Sequence, residues 1–243
     1  MGDLLWLAAA IALALLTMPV YRFGPARGRP DPDGMRRGGS FAMGRWVRDW
    51  FLWFIGPAER AALALNVPPV AFNLLGVVVG ITSAILIQDN HMVSAGWVML
   101  LGSIADIFDG RIARARGLAS PRGAFLDSTL DRFAETAIFV GLAIFYHDVV
   151  GRAVVTTALG GSLLVSYTRA RGESLHVLCR LGLMQRAERV IAVGVGAVVD
   201  PSLSHLWGRP QGSVLVIILG LVAAGTVATA VYRTVWISRR LAG

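Results

Sequence analysis

Lysine is absent from this chain; all 23 of its basic residues are arginine. Cysteine occurs once, as Cys179, which excludes a disulfide scaffold and leaves a free thiol in a loop. Histidine occurs four times, at positions 91, 147, 176 and 205, too scattered to build a Cys/His metal centre. Charge of either sign is scarce. Charged residues make up 16% of the sequence, against roughly 25% in an average soluble protein. Apolar residues make up 55%, which rules out disorder. A water-soluble fold of 243 residues cannot hide so much apolar surface, so the solvent that fits this chain is a bilayer. The missing lysine is read as a mark of GC-rich coding rather than of function.

What is present is a series of seven apolar runs: Leu4–Val20, Val70–Gln88, Val93–Ile107, Ala134–Tyr146, Ala153–Tyr167, Val190–Val199 and Ser213–Ile237. The third, fourth and sixth are short for a hydrocarbon layer of about 30 Å. Each gains length by continuing into polar flanks. The third runs into Asp106 and Asp109, the fourth starts near Asp127, and the sixth continues towards Trp207 through a bend at Pro201. Helices that carry polar residues inward at one end point to a cavity there, because lipid-facing carboxylates are costly. The fold expected is all-α: a polytopic membrane protein with a six-helix transmembrane core, preceded by an extra hydrophobic helix and an interfacial amphipathic helix.

Arginine placement sets the expected orientation. Eight arginines lie in 22–60, five in 111–132, five in 169–189 and three in 233–240, leaving only Arg152 and Arg209 for the opposite side. That opposite side carries the acidic Asp3, Asp89, Asp148 and Asp200. The arginine-rich side is read as cytoplasmic, in a bacterial inner membrane. The same distribution excludes a nucleic-acid partner, since the arginines mark topology and no aromatic-basic module accompanies them. Residues 1–21 read as an uncleaved anchor rather than a signal peptide, because Asp3 replaces a basic leader and no small-x-small site precedes Arg22. Residues 22–42 form a Gly/Pro/Arg-rich linker. Residues 43–66 mix Trp46, Trp50, Phe51, Trp53 and Phe54 with Arg45, Arg48, Asp49, Glu59 and Arg60. That pattern reads as a helix lying in the membrane interface rather than a partner-binding or core helix. The catalytic domain is expected over 69–240.

One stretch stands out from the apolar background. Asp106 and Asp109 are three apart on one helix; Asp127 and Asp131 are four apart on the next. Both spacings put carboxylates on one helix face. A short loop makes the helices antiparallel neighbours, so the four groups converge at one depth. Such a concentration of negative charge needs a cation among it. All-oxygen ligation suits Mg²⁺ or Mn²⁺. The competing reading is a set of salt bridges to Arg111, Arg114 and Arg132; four groups at matched spacing favour metal. Gly110 and Gly123 leave room for a ligand to approach the backbone.

The pattern D-x-x-D-G-x-x-A-R, eight residues, then G-x-x-x-D-x-x-x-D resembles the signature of the CDP-alcohol phosphotransferase family. Asp106, Asp109, Gly110, Ala113, Arg114, Gly123, Asp127 and Asp131 match it at every fixed position. The motif spans 26 residues, and the six-helix pattern after residue 69 extends the likeness. The resemblance implies a six-helix membrane enzyme, usually a homodimer, that transfers a substituted phosphate from a CDP-linked donor to a hydroxyl and releases CMP. It implies two divalent metals held by Asp106, Asp109, Asp127 and Asp131, with Asp131 also the general base. It implies a cytidine diphosphate site lined by Asp106, Gly110, Ala113, Arg114, Gly123 and Asp127. Many members begin the first core helix with P-N-x-x-T. Here Val70 and Asn73 stand at the Asn and Thr positions, and neither is given a role.

The acceptor is read from a second arginine-rich region. Ser166-Tyr-Thr-Arg169-Ala-Arg171 and Gln185-Arg186-Ala-Glu188-Arg189 are similar to the branch that makes phosphatidylinositol phosphate from inositol 1-phosphate. The resemblance implies that Arg169, Arg189 and Arg233 bind the acceptor phosphate; the first is often lysine in that branch. Arg171, Arg180 and Arg186 are read as topology markers only. The expected substrates are CDP-diacylglycerol and a phosphorylated polyol, inositol 1-phosphate first, with glycerol 3-phosphate or another alcohol as alternatives. A transporter with an intramembrane carboxylate cluster is disfavoured because no inverted repeat is visible. A prenyltransferase-type enzyme is disfavoured by the single compact Asp cluster and the G-x-x-A-R element.

Overall fold

The computed structural model describes residues 2–24, 44–179, 182 and 184–242. The linker expected over 22–42 falls outside these from residue 25 onward. Eight helices are present among the described residues, and no strand. They are α1 (Gly2–Phe23), α2 (Gly44–Ala64), α3 (Pro69–Gln88), α4 (Met92–Ala115), α5 (Pro121–Phe145), α6 (Val149–Ser174), α7 (Arg186–Leu206) and α8 (Ser213–Leu241). The chain is an all-α polytopic membrane protein. The three short apolar runs do continue into their polar flanks, as α4, α5 and α7. By length and composition α3, α4, α6 and α8 are the four helices apolar enough to cross a membrane. The two remaining core helices, α5 and α7, carry charge inward instead.

Local sequence sets the helix ends. Pro69 and Pro121 each open a helix at a position where the missing N–H costs nothing. Ser120 caps α5 by accepting from Gly123 N at 3.1 Å, and Asp148 caps α6 by accepting from Gly151 N at 2.7 Å. The turn after α4 ends on Gly117 at φ 66°, and the turn after α3 on Asn90 at the same angle. Both are residue types that tolerate the left-handed region.

The core is formed where α3 to α8 meet, around Ile87, Met99, Leu142, Val155, Ala197 and Leu219. Two close helix crossings set the site described below. At the α3–α5 crossing, a Cβ on Gly80 would meet Ala134 O at 2.6 Å, and one on Gly141 would meet Ala84 Cα at 2.6 Å. At the α4–α7 crossing, a Cβ on Gly96 would meet Gly194 O at 2.6 Å. Without side chains at these points the backbones come close enough for short polar side chains further along to touch.

Helices α1 and α2 flank the core. Trp50 Nε1 donates to Thr17 Oγ1 at 3.2 Å, and Tyr21 packs against Trp46 and Trp53. On its other side α2 buries Ile55 and Ala62 against Phe108 and Ile112 of α4. Glu59 accepts from Arg111 Nε at 2.9 Å. The Arg116 guanidinium donates to Leu63 O, Val67 O and Asn66 Oδ1, closing the C-terminal end of α2.

Asp200 has a structural role. The sequence reading puts it on the arginine-poor side of the membrane and gives it no role; it lies within α7 and is fully buried. The helix passes through Pro201 to Leu206. The Asp200 carboxylate accepts from Gly212 N (2.6 Å), Val214 N (2.9 Å), Leu215 N (2.9 Å) and Ser204 Oγ (3.0 Å). It satisfies the open N–H groups that begin α8, where a carboxylate also suits the helix dipole. Gly212 itself sits at φ 96°, and its carbonyl accepts from Tyr146 Oη at 2.8 Å. Asp200→Ala strands two buried backbone donors, Gly212 N and Leu215 N, while Val214 N keeps Ser204 Oγ at 3.2 Å. At roughly 1–3 kcal/mol each, a total loss of at least about 2 kcal/mol is expected. Thermal melting in detergent checks this; an unchanged melting temperature would show that the cap is dispensable.

Candidate active site

The end of the bundle opposite Asp200 holds the carboxylates. Along α7, Arg186 and Asp200 are separated by about 21 Å at 1.5 Å per residue. Asp106, Asp127 and Asp131 each offer a carboxylate oxygen, and these atoms lie within 4.8 Å of one another. Asp106 comes from α4, Asp127 and Asp131 from α5, as their spacing and the short connecting loop require. Asp109 is buried beside them. Its Oδ1 accepts from Gly110 N, and its Oδ2 from Asn73 Nδ2 at 2.7 Å. The same Asn73 nitrogen donates to Asp127 Oδ1 at 3.3 Å. One amide on α3 therefore bridges carboxylates of α4 and α5. All four aspartates belong to one cluster, three as a direct triad and Asp109 through Asn73.

Arg186 enters this cluster from the first turn of α7. Its NH1 lies 2.5 Å from Asp106 Oδ2 and its NH2 2.8 Å from Asp131 Oδ1. The sequence reading gave Arg186 a topological role alone; in the fold it sits between two members of the triad. Arg132 lies on the other side of Asp131, with NH2 3.8 Å from Asp131 Oδ2. Arg132 NH1 donates to Glu135 Oε2 at 2.9 Å and to Ser166 Oγ at 2.5 Å. Glu135 in turn takes Arg189 on both oxygens, Nε at 2.7 Å and NH2 at 3.0 Å. The result is a row of alternating charge across three helices: Asp106, Arg186, Asp131, Arg132, Glu135, Arg189.

The charge balance tests whether a divalent cation fits. Five carboxylates (Asp106, Asp109, Asp127, Asp131, Glu135) meet three guanidiniums, which leaves two negative charges over. Two carboxylates about 5 Å apart repel by roughly 3–4 kcal/mol at an effective dielectric of 20. The excess, the all-oxygen donor set and the spacing fit a hard divalent cation at the triad.

The other residues singled out in the sequence fall around this centre. Gly110, Ala113 and Arg114 lie on the last turns of α4 beyond the carboxylates, half-buried, and Gly123 lies exposed on the first turn of α5. The three arginines assigned to an acceptor phosphate come from α6, α7 and α8. Arg169 is exposed and paired with Glu173 at 2.9 Å. Arg189 is 1% exposed, and besides Glu135 its NH1 donates to Met184 O at 3.2 Å. Arg233 is buried, donates to Val165 O at 2.8 Å, and feels the like charges of both Arg169 and Arg189. Asn73, Arg132, Arg186 and Glu135 were not singled out as site residues. Two signals were available: Glu135 follows Asp131 by one helical step of four, and Arg186 precedes Arg189 by three.

Comparison with known proteins gives a consistent result. The model of the family described as CDP-alcohol phosphatidyltransferase matches residues 65–238. A phosphatidylinositol phosphate synthase of Streptomyces avermitilis is 35% identical over 211 residues, covering 84% of this chain and 86% of that protein. Among solved structures, the Mycobacterium tuberculosis phosphatidylinositol phosphate synthase with CDP-DAG bound superposes with a TM-score of 0.65 at 29% identity. It covers 74% of this chain and 92% of that one. The same enzyme in complex with manganese and citrate gives a TM-score of 0.65 at 28% identity, with 74% and 87% covered.

Arg186 supplies the triad with positive charge from within the chain. Arg186→Gln removes it and is expected to destabilise the metal-free protein by about 2 kcal/mol, since the ion pairs are only partly buried. Millimolar Mn²⁺ then raises the melting temperature more in the variant than in the parent. Paired melts with and without Mn²⁺ check this; identical shifts in both proteins would show that Arg186 does not share the cation's ligands.

Proposed function

Because this chain belongs to the CDP-alcohol phosphatidyltransferase family, we propose that it transfers the phosphatidyl group of CDP-diacylglycerol to a hydroxyl of a phosphorylated polyol. CMP is the other product, and inositol 1-phosphate is the acceptor. The observation that carries this reading is the Asp106–Asp127–Asp131 triad, with Asp109 joined to it through Asn73. The acceptor reading is supported by the relative from Streptomyces avermitilis, named as a phosphatidylinositol phosphate synthase. It is also supported by Arg233, which feels the positive charge of both Arg169 and Arg189.

The chemistry follows from the residues. The acceptor hydroxyl oxygen attacks the phosphorus that carries diacylglycerol, and the bond from that phosphorus to the CMP oxygen breaks. The hydroxyl proton passes to Asp131 as general base. Asp131 is held for this by Arg186 on one oxygen and Arg132 near the other. Asp106, Asp109, Asp127 and Asp131 would hold two divalent cations, Mg²⁺ or Mn²⁺, which would supply positive charge to the donor diphosphate and to the charge that builds during displacement. Gly110, Ala113, Arg114 and Gly123 receive the cytidine diphosphate, with Asp106 and Asp127 at its metal-facing side. Arg169, Arg189 and Arg233 address the acceptor phosphate, a task suited to guanidinium forks.

In the cell the proposed arrangement is a homodimer in the bacterial inner membrane, with the carboxylate end facing the cytoplasm as the arginine distribution requires. Residues 69–240 form the catalytic domain. Helix α1 anchors in the bilayer, and α2 lies along the interface, tied to α1 through Trp50 and to α4 through Arg111 and Arg116.

The test is CMP release by the purified protein in lipid, with CDP-diacylglycerol and Mg²⁺ or Mn²⁺. Inositol 1-phosphate, glycerol 3-phosphate, inositol and serine are offered separately. Turnover with inositol 1-phosphate is expected, and Asp131→Asn is expected to lower kcat by about 10³-fold, within the range for loss of a general base. Turnover with glycerol 3-phosphate alone would reassign the acceptor, and undiminished turnover in the variant would remove Asp131 from its role.

A further inference from the structure

Glu135 has no role in the reaction so far derived, yet its surroundings are costly to build. It is 4% exposed and is held by two guanidiniums, Arg189 through both oxygens and Arg132 through one. A buried ion pair contributes little to stability compared with apolar packing of the same volume. If fastening α5 to α7 were the whole purpose, apolar side chains would serve, as Ile138 and Phe139 serve in the core one turn further along α5.

The geometry of Arg189 shows what the carboxylate does. Glu135 occupies one edge of the guanidinium, the edge formed by Nε and NH2. Met184 O takes one N–H of NH1. One N–H on each terminal nitrogen is left without a partner among the described residues, on a side chain that is 1% exposed. With one N–H left on each terminal nitrogen, the guanidinium can still meet two oxygens of one phosphate. A guanidinium gripped along its side edge cannot rotate, so its fork keeps a single direction.

Arg132 extends the same grip to the base. Its NH1 is shared between Glu135 and Ser166 of α6, while its NH2 reaches towards Asp131. One carboxylate therefore fixes a guanidinium beside the base and another among the buried arginines of α7 and α8. It also offsets the mutual repulsion of Arg132, Arg186 and Arg189, which would otherwise drive the guanidiniums apart.

We infer that Glu135 is a positioning residue for acceptor recognition, aligning Arg189 for the acceptor phosphate and Arg132 beside the base. This rests on the acceptor reading given above. Glu135 touches no reacting atom; it acts through the two arginines.

The experiment compares the parent with Glu135→Gln and Glu135→Asp, full-length in detergent with Mn²⁺. Inositol 1-phosphate binding is measured by calorimetry, and KM for inositol 1-phosphate and for CDP-diacylglycerol by CMP release. Glu135→Gln keeps the volume and loses the charge. It is expected to weaken inositol 1-phosphate binding and raise the acceptor KM by about ten-fold or more, with the donor KM within about two-fold. Glu135→Asp keeps the charge and is expected to restore acceptor binding to within about three-fold of the parent. An acceptor affinity unchanged in Glu135→Gln overturns the proposal. So does a loss that affects donor and acceptor alike, follows the melting temperature and is not rescued by Glu135→Asp, for that is a structural ion pair. If the parent itself neither binds nor turns over inositol 1-phosphate, the acceptor reading falls. Glycerol 3-phosphate binding to the same three proteins then decides the role of Glu135 by the same ratios.

Discussion

Negative charge held inside a membrane bundle is the constraint on which the rest of this structure depends. Four aspartates gather at one end of α4 and α5, and neither lipid nor a low-dielectric core tolerates them alone. The answer is visible in the composition of the neighbouring helices. Both α5 and α7 fall short of the apolarity of a simple membrane span, and they carry Arg132, Glu135, Arg186 and Arg189. Around them, α3, α4, α6 and α8 present apolar surface outward. The charged row is thus a property of the helix arrangement, and the arrangement is possible because Gly80, Gly96 and Gly141 let the backbones cross closely.

The same constraint separates the two ends of the molecule. At the carboxylate end, charge is balanced by long side chains that can rearrange, since arginine reaches its partner through several rotatable bonds. At the far end, Asp200 is balanced by backbone N–H groups that cannot move without unwinding α8. One end is a balance of charged side chains, the other a fixed joint among Tyr146, α7 and α8. A site that must admit a diphosphate and release CMP needs the first kind of balance, and a bundle that must hold that site in register needs the second.

How much of this could be read from the sequence follows from the range of each signal. The helices were legible, including the extension of the three short runs, because apolar length and helix caps are local. The convergence of Asp106, Asp127 and Asp131 was legible because three- and four-residue spacing fixes a helix face, and a short loop fixes the neighbour. Asn73 was not, because its partners lie 36 and 54 residues away on other helices. Arg186 was misread for a related reason. The positive-inside rule gives any arginine near a helix end a sufficient explanation, and only the crossing of α4 with α7 shows that this one turns inward by 80 residues of separation to Asp106. For Asp200 the continuation of the helix past Pro201 was legible, but not that its carboxylate serves the start of the next helix, 12 to 15 residues on.

These cases share a physical cause. A charge in an apolar sequence is informative only once its partner is known, and partners in a bundle come from the third dimension. The row from Asp106 to Arg189 takes two members from α7, one from α4 and three from α5. Removing any one charge leaves its neighbours uncompensated, so the row behaves as a unit. That coupling links the metal-fitting triad to the buried Arg189 without a long-range motion. A cation at the triad would take oxygens of Asp106 and Asp131 that Arg186 holds at 2.5 and 2.8 Å.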